Sequence, residues 1–171
     1  MAANPLRVNA AELLRRPGSE RDIEVRATVA DLDVHDDRLR GDDRVTIALH
    51  LESLTDGIVV RGTITAPWHG ICRRCAIEAS GLVTADVHEL YQLVVTDPEA
   101  FELVGDQLDL APMVREVIVL DAPPSPLCRD DCKGLCPECG IDRNLDTCSC
   151  SGPMVDHRWG ALDQLKDLLG D

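Results

Sequence analysis

The chain has 171 residues, a formal net charge of -14 and eight cysteines. This length suits one main domain with a small appended module, and 44% hydrophobic residues argue against wholesale disorder. Nucleic-acid affinity is built mainly from Lys and Arg that neutralise phosphates, and the chain's four aromatic residues are too few for a base-stacking platform. Composition therefore disfavours an autonomous nucleic-acid binder.

The sequence also bounds the compartment. Its first residues have no apolar signal-peptide core, and no apolar run approaches the roughly 18 residues that a membrane-spanning helix needs. We therefore expect a cytoplasmic protein with no membrane partner. In a reducing compartment, eight cysteines are better explained as metal ligands or redox thiols than as disulfides.

Local patterns predict a β-rich first part. Asn9 and Glu12 have capping-box spacing, which predicts a short helix over 10–16. The charged segment 31–43 is interpreted as a solvated loop, and Asp56-Gly57 predicts a hairpin turn. Apolar residues alternating with a period of two predict four strands, over residues 23–29, 45–51, 58–66 and 83–95.

Helical patterns follow the strands. Asp109 is placed to cap a helix over 110–120 that covers the sheet, and the prolines of 123–126 form a stiff spacer. An amphipathic helix is predicted over 157–169, with core packing as the favoured interpretation of its apolar face.

These elements predict an α+β fold. It would be a mainly antiparallel β-sheet or partly open barrel with covering helices and a C-terminal cysteine-rich zinc module. The predicted boundaries are a β-rich domain over 1–122, with a zinc-knuckle hairpin at 68–75, and the zinc module with the last helix over 123–171.

The cysteines fall into four short-range pairs. Zinc prefers tetrahedral thiolate coordination, and a structural zinc site closes with four protein ligands. Eight thiols therefore predict at least one structural zinc ion, and they match the number of ligands that two such ions need. The candidate metal ligands are Cys72, Cys75, Cys128, Cys132, Cys136, Cys139, Cys148 and Cys150.

Spacing favours one way of combining the pairs but leaves others open. The preferred sets are Cys136, Cys139, Cys148 and Cys150 for one ion, and Cys72, Cys75, Cys128 and Cys132 for the other. The alternative set of Cys128, Cys132, Cys136 and Cys139 leaves only residues 133–135 for a chain reversal. Three alternatives remain: iron in a rubredoxin-like site, buried inert cysteines with no metal, and His69 as a competing metal ligand instead of a surface histidine.

The order of these features resembles the YceD family, the large ribosomal RNA subunit accumulation proteins, in a cysteine-rich zinc-binding form. The resemblance rests on Cys72-Arg-Arg-Cys75, the helix that starts at Asp109, the Cys-Lys-Gly-Leu-Cys-Pro-Glu-Cys-Gly stretch that begins at Cys132 and is followed by Asn144, and a final stretch over 156–165. It implies a non-catalytic role in synthesis, processing or stability of 23S ribosomal RNA in bacteria and plastids, with the cysteines as metal ligands.

Charge distribution refines the expected partners. Residues 76–127 contain ten acidic residues and one basic residue, Arg115, so this segment should meet a basic ribosomal protein or processing enzyme of the ribosomal precursor particle rather than RNA. A local RNA contact would fall on the basic residues near the cysteines. The alternative interpretation is that these basic residues only compensate the negative charge of the thiolates. These candidates are Arg73, Arg74, Arg129, Lys133, Arg143 and Arg158.

No small-molecule substrate and no enzymatic activity are expected, since no histidine pair or nucleophile motif is present and four-cysteine sites leave no position for water. The alternative function is a zinc-based redox switch. Cys136-x2-Cys139 with Cys148-x-Cys150 resembles the ligand set of the redox-regulated heat-shock chaperone.

Overall fold

The computed structural model describes residues 5–150 and Arg158. Its strands are β1 (Arg7–Asn9), β2 (Glu20–Thr28), β3 (Arg44–Ser53), β4 (Gly57–Ile71), β5 (Glu78–Gln92), β6 (Phe101–Glu102) and β7 (Gln107–Asp109). Its helices are α1 (Ala11–Leu14) and α2 (Ala111–Asp121), and a 3₁₀ turn spans Val29–Leu32. Two compact units divide the chain: Met1–Cys72 with Ile77–Cys128, and Arg73–Ala76 with Arg129–Asp171.

The first unit is built on a five-stranded sheet of order β2-β3-β4-β5-β6. All neighbouring strands are antiparallel except β5 and β6, which pair in parallel. Strands β1 and β7 form a separate two-stranded sheet. The predicted α+β class is therefore confirmed, with a mainly antiparallel sheet that stays open rather than closing into a barrel.

The alternating pattern predicts the buried face of the sheet correctly. In β3, Val45, Ile47, Leu49 and Leu51 are buried, each separated from the next by a more exposed residue. Helix α2 adds Met113, Val114 and Ile118 to the same core, as its apolar spacing predicts. Burial of these side chains is the main stabilisation of the first unit.

Gly62 lies on β4 opposite Leu49 of β3. Its φ is 147°, and a Cβ there would stand 2.1 Å from the carbonyl oxygen of Ala48. Because that oxygen belongs to the neighbouring backbone, no side chain fits at this position.

Several element boundaries differ from the predicted ones. The hairpin of β4 and β5 runs to Ile71 and restarts at Glu78, so the predicted strands 58–66 and 83–95 were shifted or too short. Helix α1 is a single turn rather than 10–16; the side-chain oxygen of Asn9 still accepts a hydrogen bond from the N–H of Ala11 at 3.0 Å. The predicted helix over 157–169 lies outside the described residues, apart from Arg158.

The interpretation of 31–43 as a merely solvated loop was wrong. The Arg38 guanidinium donates hydrogen bonds to the carbonyl oxygens of Ala122 and Val119, the latter at 3.1 Å, at the C-terminal end of α2. It also pairs with Asp36 at 2.7 Å, and both side chains are more than three-quarters buried. A cation at this end of a helix also complements the helix dipole.

We expect Arg38→Ala to lower the free energy of unfolding of the first unit by about 1–2 kcal/mol, because it leaves the last carbonyls of α2 without their donor. The hydrogen bond from Arg38 lowers the pKa of Asp36 to about 2. The pair therefore stabilises the fold above about pH 4, and this contribution is lost as the pH falls towards 2. Urea unfolding of Arg38→Ala and Asp36→Asn at pH 7 and pH 3 measures both effects; equal stability of Arg38→Ala and the unmodified chain at pH 7 contradicts the prediction.

Among the described residues, no helix has both the length and the apolar character needed to cross a membrane.

Candidate metal centres

The eight cysteines form two sets of four. One set contains Cys72, Cys75, Cys128 and Cys132, and the other contains Cys136, Cys139, Cys148 and Cys150. Within each set the sulfur atoms lie within 4.8 Å of one another, and all eight cysteines are free thiols. These are the two sets that the sequence spacing favours, and the alternative combination of Cys128 and Cys132 with Cys136 and Cys139 is not formed.

The donor set fits a tetrahedral thiophilic metal. Four sulfurs at about 2.3 Å from a zinc ion lie roughly 3.8 Å apart, which is compatible with the observed convergence. Each set offers four ligands of one chemical type, which is the composition of a closed structural site. Either set can therefore hold a metal ion.

Two of the cysteine pairs, Cys72 with Cys75 and Cys136 with Cys139, lie on turns of the same conformation. The N–H of Cys72 donates to the carbonyl of Ile77, and that of Cys136 donates to the carbonyl of Ile141, both at 2.8 Å. The residue after the second cysteine has a left-handed backbone in each turn, with φ of 59° at Ala76 and 73° at Gly140. Cys-x-x-Cys-Ala-Ile and Cys-x-x-Cys-Gly-Ile are thus two copies of one knuckle.

Hydrogen bonds within the second set prepare one thiol to ionise. The backbone N–H groups of Cys139 and Glu138 point at the sulfur of Cys136 and lower its pKa to about 6. Cys150 has its pKa raised to about 12, first by its hydrogen bond with Cys139 and then by burial. One thiolate therefore forms readily, while further negative charge in the set needs a cation to balance it.

The two sets differ in exposure. In the first, Cys72, Cys75 and Cys132 are buried and Cys128 is half-buried. In the second, Cys136 is buried, Cys148 and Cys150 are half-buried, and Cys139 is exposed. Solvent and small reagents therefore reach the second set more easily.

Asn144 organises the backbone and one sulfur of the second unit. Its side-chain oxygen accepts hydrogen bonds from the N–H of Lys133 at 2.7 Å and from Arg129 at 2.8 Å. Its amide nitrogen donates to the sulfur of Cys132 at 3.5 Å and to Asp142 at 2.7 Å. The sequence motif contains this residue, but the pattern alone did not assign it a role.

The basic residues near the cysteines have different environments. Arg74 donates to the carbonyls of Cys132 at 2.9 Å and Asp130 at 3.3 Å, so it holds a backbone turn. Arg129 bonds Asn144 and pairs with Asp131 at 3.2 Å. Arg74 and Arg129 are nevertheless exposed, as are the other candidates: Arg73, Lys133, Arg143 and Arg158.

His69 does not belong to either cysteine set. Its Nε2 lies 3.1 Å from a carboxylate oxygen of Asp43, and both side chains are mostly buried. The histidine therefore holds the segment before β3 rather than a metal ion.

Comparison with known proteins agrees with this picture. The family model of the large ribosomal RNA subunit accumulation protein YceD matches residues 60–166, which include both cysteine sets. The uncharacterized protein Rv2926c of Mycobacterium tuberculosis is 30% identical over 95% of this chain and 82% of its own length. No solved structure matches the chain.

A chloroplast protein is also similar. The large ribosomal RNA subunit accumulation protein YCED homolog 1 of Arabidopsis thaliana is 28% identical over 37% of this chain and 20% of its own length. The family match covers well over half of the chain, and the mycobacterial similarity extends over nearly all of it. The chain therefore belongs to the YceD family of large ribosomal RNA subunit accumulation proteins.

Proposed function

We propose that this chain is a non-catalytic, cytoplasmic ribosome-biogenesis factor of bacteria that supports synthesis, processing or accumulation of 23S ribosomal RNA. The family match over residues 60–166 carries the proposal. The distribution of charge supports a role in protein contact, since ten acidic residues and one basic residue lie in 76–127.

The proposal includes two structural zinc ions, one in each cysteine set. Zinc suits four thiolates in tetrahedral arrangement, and such sites stabilise a small module that has little apolar core of its own. Because four cysteines complete the coordination of each ion, neither site would leave a position for a reacting water. This composition supports a structural role for the metal and a factor that acts without catalysis.

Removing the gene tests the proposal directly. We expect a lower ratio of 23S to 16S ribosomal RNA and accumulation of 23S precursors, both restored by the unmodified chain. The measurement is gel and probe analysis of total RNA, with sucrose gradients to count large subunits. An unchanged ratio, with unchanged precursors and large subunits, would refute the ribosomal role.

Exposed arginines of the second unit are proposed to make the local RNA contact. We expect Arg73→Ala with Arg143→Ala to weaken association with pre-ribosomal particles and to lower the salt slope by about one for each phosphate that is no longer neutralised. Titration of purified particles at several salt concentrations measures this. The matched control is Arg15→Ala with Arg16→Ala, two exposed arginines of the first unit.

Arg74 is expected to behave differently from Arg73 because its guanidinium already bonds two backbone carbonyls. Arg74→Ala should reduce stability of the second unit and leave the salt slope unchanged. Equal salt slopes for the Arg73/Arg143 pair, its control and the unmodified chain would rule out the RNA contact.

A zinc-based redox switch is the second candidate function, and the exposure of Cys139 favours it. Hydrogen peroxide would oxidise two thiols of the second set to a disulfide, with reduction of the peroxide to water and release of the ion. We expect zinc to leave this set at lower peroxide than the more buried first set. A peroxide titration with a zinc-sensitive dye, followed by mapping of oxidised cysteines and a chaperone assay, measures this order; simultaneous loss from both sets contradicts it, and absence of chaperone activity after zinc release excludes the switch.

A further inference from the structure

A cleft in the first unit combines apolar walls with acidic side chains. It has a volume of about 510 Å³ and lies between α2 and the segment that follows β5. Phe101, Val117 and Leu120 contribute apolar surface, and Leu120 is 74% exposed. A smaller depression of about 330 Å³ shares Glu89, Glu99 and Ala100 with it. We call these lining residues the acidic cleft.

Three carboxylates line the larger part of the acidic cleft, Glu89, Glu99 and Glu116, and Asp97 lines the smaller depression. Burial raises the pKa of Glu89, the charge of Glu116 raises it further, His88 lowers it in part, and Glu99 raises it again. The carboxylates therefore lie close enough to repel one another. A cation that enters this cleft would relieve the repulsion.

None of the ion pairs among the described residues involves Glu89, Glu99 or Glu116. Arg115, the one basic residue of 76–127, donates a hydrogen bond to the carbonyl oxygen of Leu32 at 2.8 Å. None of the residues that line the large part of the cleft is basic, and His88 lines the smaller depression. Unbalanced charge beside exposed apolar side chains is the character of a protein-binding surface rather than of a solvated face.

We propose that the acidic cleft binds a basic amphipathic segment of a partner protein, one that places an apolar side chain against Leu120 and Val117 and lysine or arginine side chains against Glu89 and Glu116. The carboxylates favour a cationic partner and disfavour RNA, because they would repel its phosphate backbone. The apolar walls favour a protein segment that can place an apolar side chain against them. This inference rests on the proposed function for its setting, in which the segment belongs to a basic protein of the ribosomal precursor particle.

A short fluorescein-labelled peptide of lysine, leucine and alanine tests the cleft in the full chain. We expect saturable binding in fluorescence anisotropy, weakening with salt. Glu89→Gln with Glu116→Gln should weaken it roughly tenfold, and Leu120→Ser should weaken it severalfold. A peptide with serine in place of leucine should bind more weakly, and one with glutamate in place of lysine should not bind.

The matched control is Asp86→Asn with Glu102→Gln, two exposed acidic residues outside the cleft that remove the same charge. It should leave peptide binding within about twofold of the unmodified chain. Equal weakening by the control would show a general electrostatic effect and overturn the proposal. Unchanged binding by the Glu89/Glu116 variant would also overturn it, and so would direct binding of a labelled single-stranded RNA to the chain that Leu120→Ser weakens.

A complementation experiment separates the cleft from the ribosomal function. In cells without the gene, the Glu89/Glu116 variant should fail to restore 23S ribosomal RNA, whereas the Asp86/Glu102 control should restore it. If loss of the gene leaves 23S ribosomal RNA unchanged while the purified chain still binds the peptide through the cleft, the proposed function is refuted but the binding site is not. Full restoration by a variant that no longer binds the peptide would refute the cleft as the working surface.

Discussion

Cys136→Ser is expected to remove one of the two proposed zinc ions and to unfold residues 136–150, while the first unit and the set that contains Cys132 stay folded. Thiolate coordination in zinc modules supplies about 10–16 kcal/mol of binding free energy, and this energy is also the folding energy of the module. The described part of the second unit has few buried apolar side chains, so nothing else of this size replaces the metal. The first unit has its own core of buried side chains from the sheet and α2.

Cys136 is the most informative cysteine to replace in the second set. It is 6% exposed, its N–H closes the knuckle on Ile141, and its sulfur accepts two backbone N–H groups. Serine keeps the size of the side chain but does not supply a thiolate. The effect would therefore be chemical rather than a change in packing.

Metal analysis of dialysed protein and hydrogen exchange of the backbone amides measure the two expected effects. Ser149→Ala is the matched control, because residue 149 is exposed and lies between Cys148 and Cys150 without altering a sulfur. We expect two zinc ions and unchanged exchange in the control. Two zinc ions in Cys136→Ser, with protected amides over 136–150, would contradict a structural metal site.

The main sheet could be predicted from the sequence because its information is local. Alternation in β3 and the Asp56-Gly57 turn specify a strand and a hairpin without reference to distant residues. The short strands β1, β6 and β7 could not be predicted in this way. Each has two or three residues; β1 and β7 pair with each other across most of the chain, and β6 pairs in parallel with the end of β5.

The grouping of the cysteines was predictable for a similar reason. Pair spacing limits which thiols can converge, and a long segment between Cys139 and Cys148 permits the chain reversal that three residues do not. The repeat of the knuckle is visible in the sequence as Cys-x-x-Cys followed by Ala-Ile or Gly-Ile. The left-handed φ at Ala76 could not be predicted, because alanine does not favour that conformation.

Side-chain assignments near the metal centres depended on the fold. Arg73 and Arg74 are adjacent and chemically identical, yet the guanidinium of Arg74 holds two carbonyls of a turn more than fifty residues later in the chain. Arg38 likewise finds its partners at the end of α2. Such long-range hydrogen bonds leave no periodic trace in a sequence.

Asn144→Ala is expected to weaken metal binding by the set that contains Cys132 by about 10- to 100-fold, the usual effect of removing a side chain that orients a ligand. It should also lower the free energy of unfolding of the second unit by about 2–4 kcal/mol, because one half-buried amide makes hydrogen bonds to Lys133, Arg129, Asp142 and the sulfur. Competition with a chromophoric zinc chelator and thermal unfolding measure the two quantities.

A second substitution separates the sulfur contact from the backbone contacts. Asn144→Asp keeps an oxygen that accepts from Lys133 and Arg129, but it loses the amide that donates to Cys132 and places a negative charge beside the sulfur and Asp142. Metal affinity should therefore fall at least as far as in Asn144→Ala. Leu145→Ala, at a neighbouring side chain that is 86% exposed, should retain normal affinity. If Asn144→Asp also retains it, the hydrogen bond to the sulfur does not orient the ligand, and Asn144 acts on the backbone of the module alone.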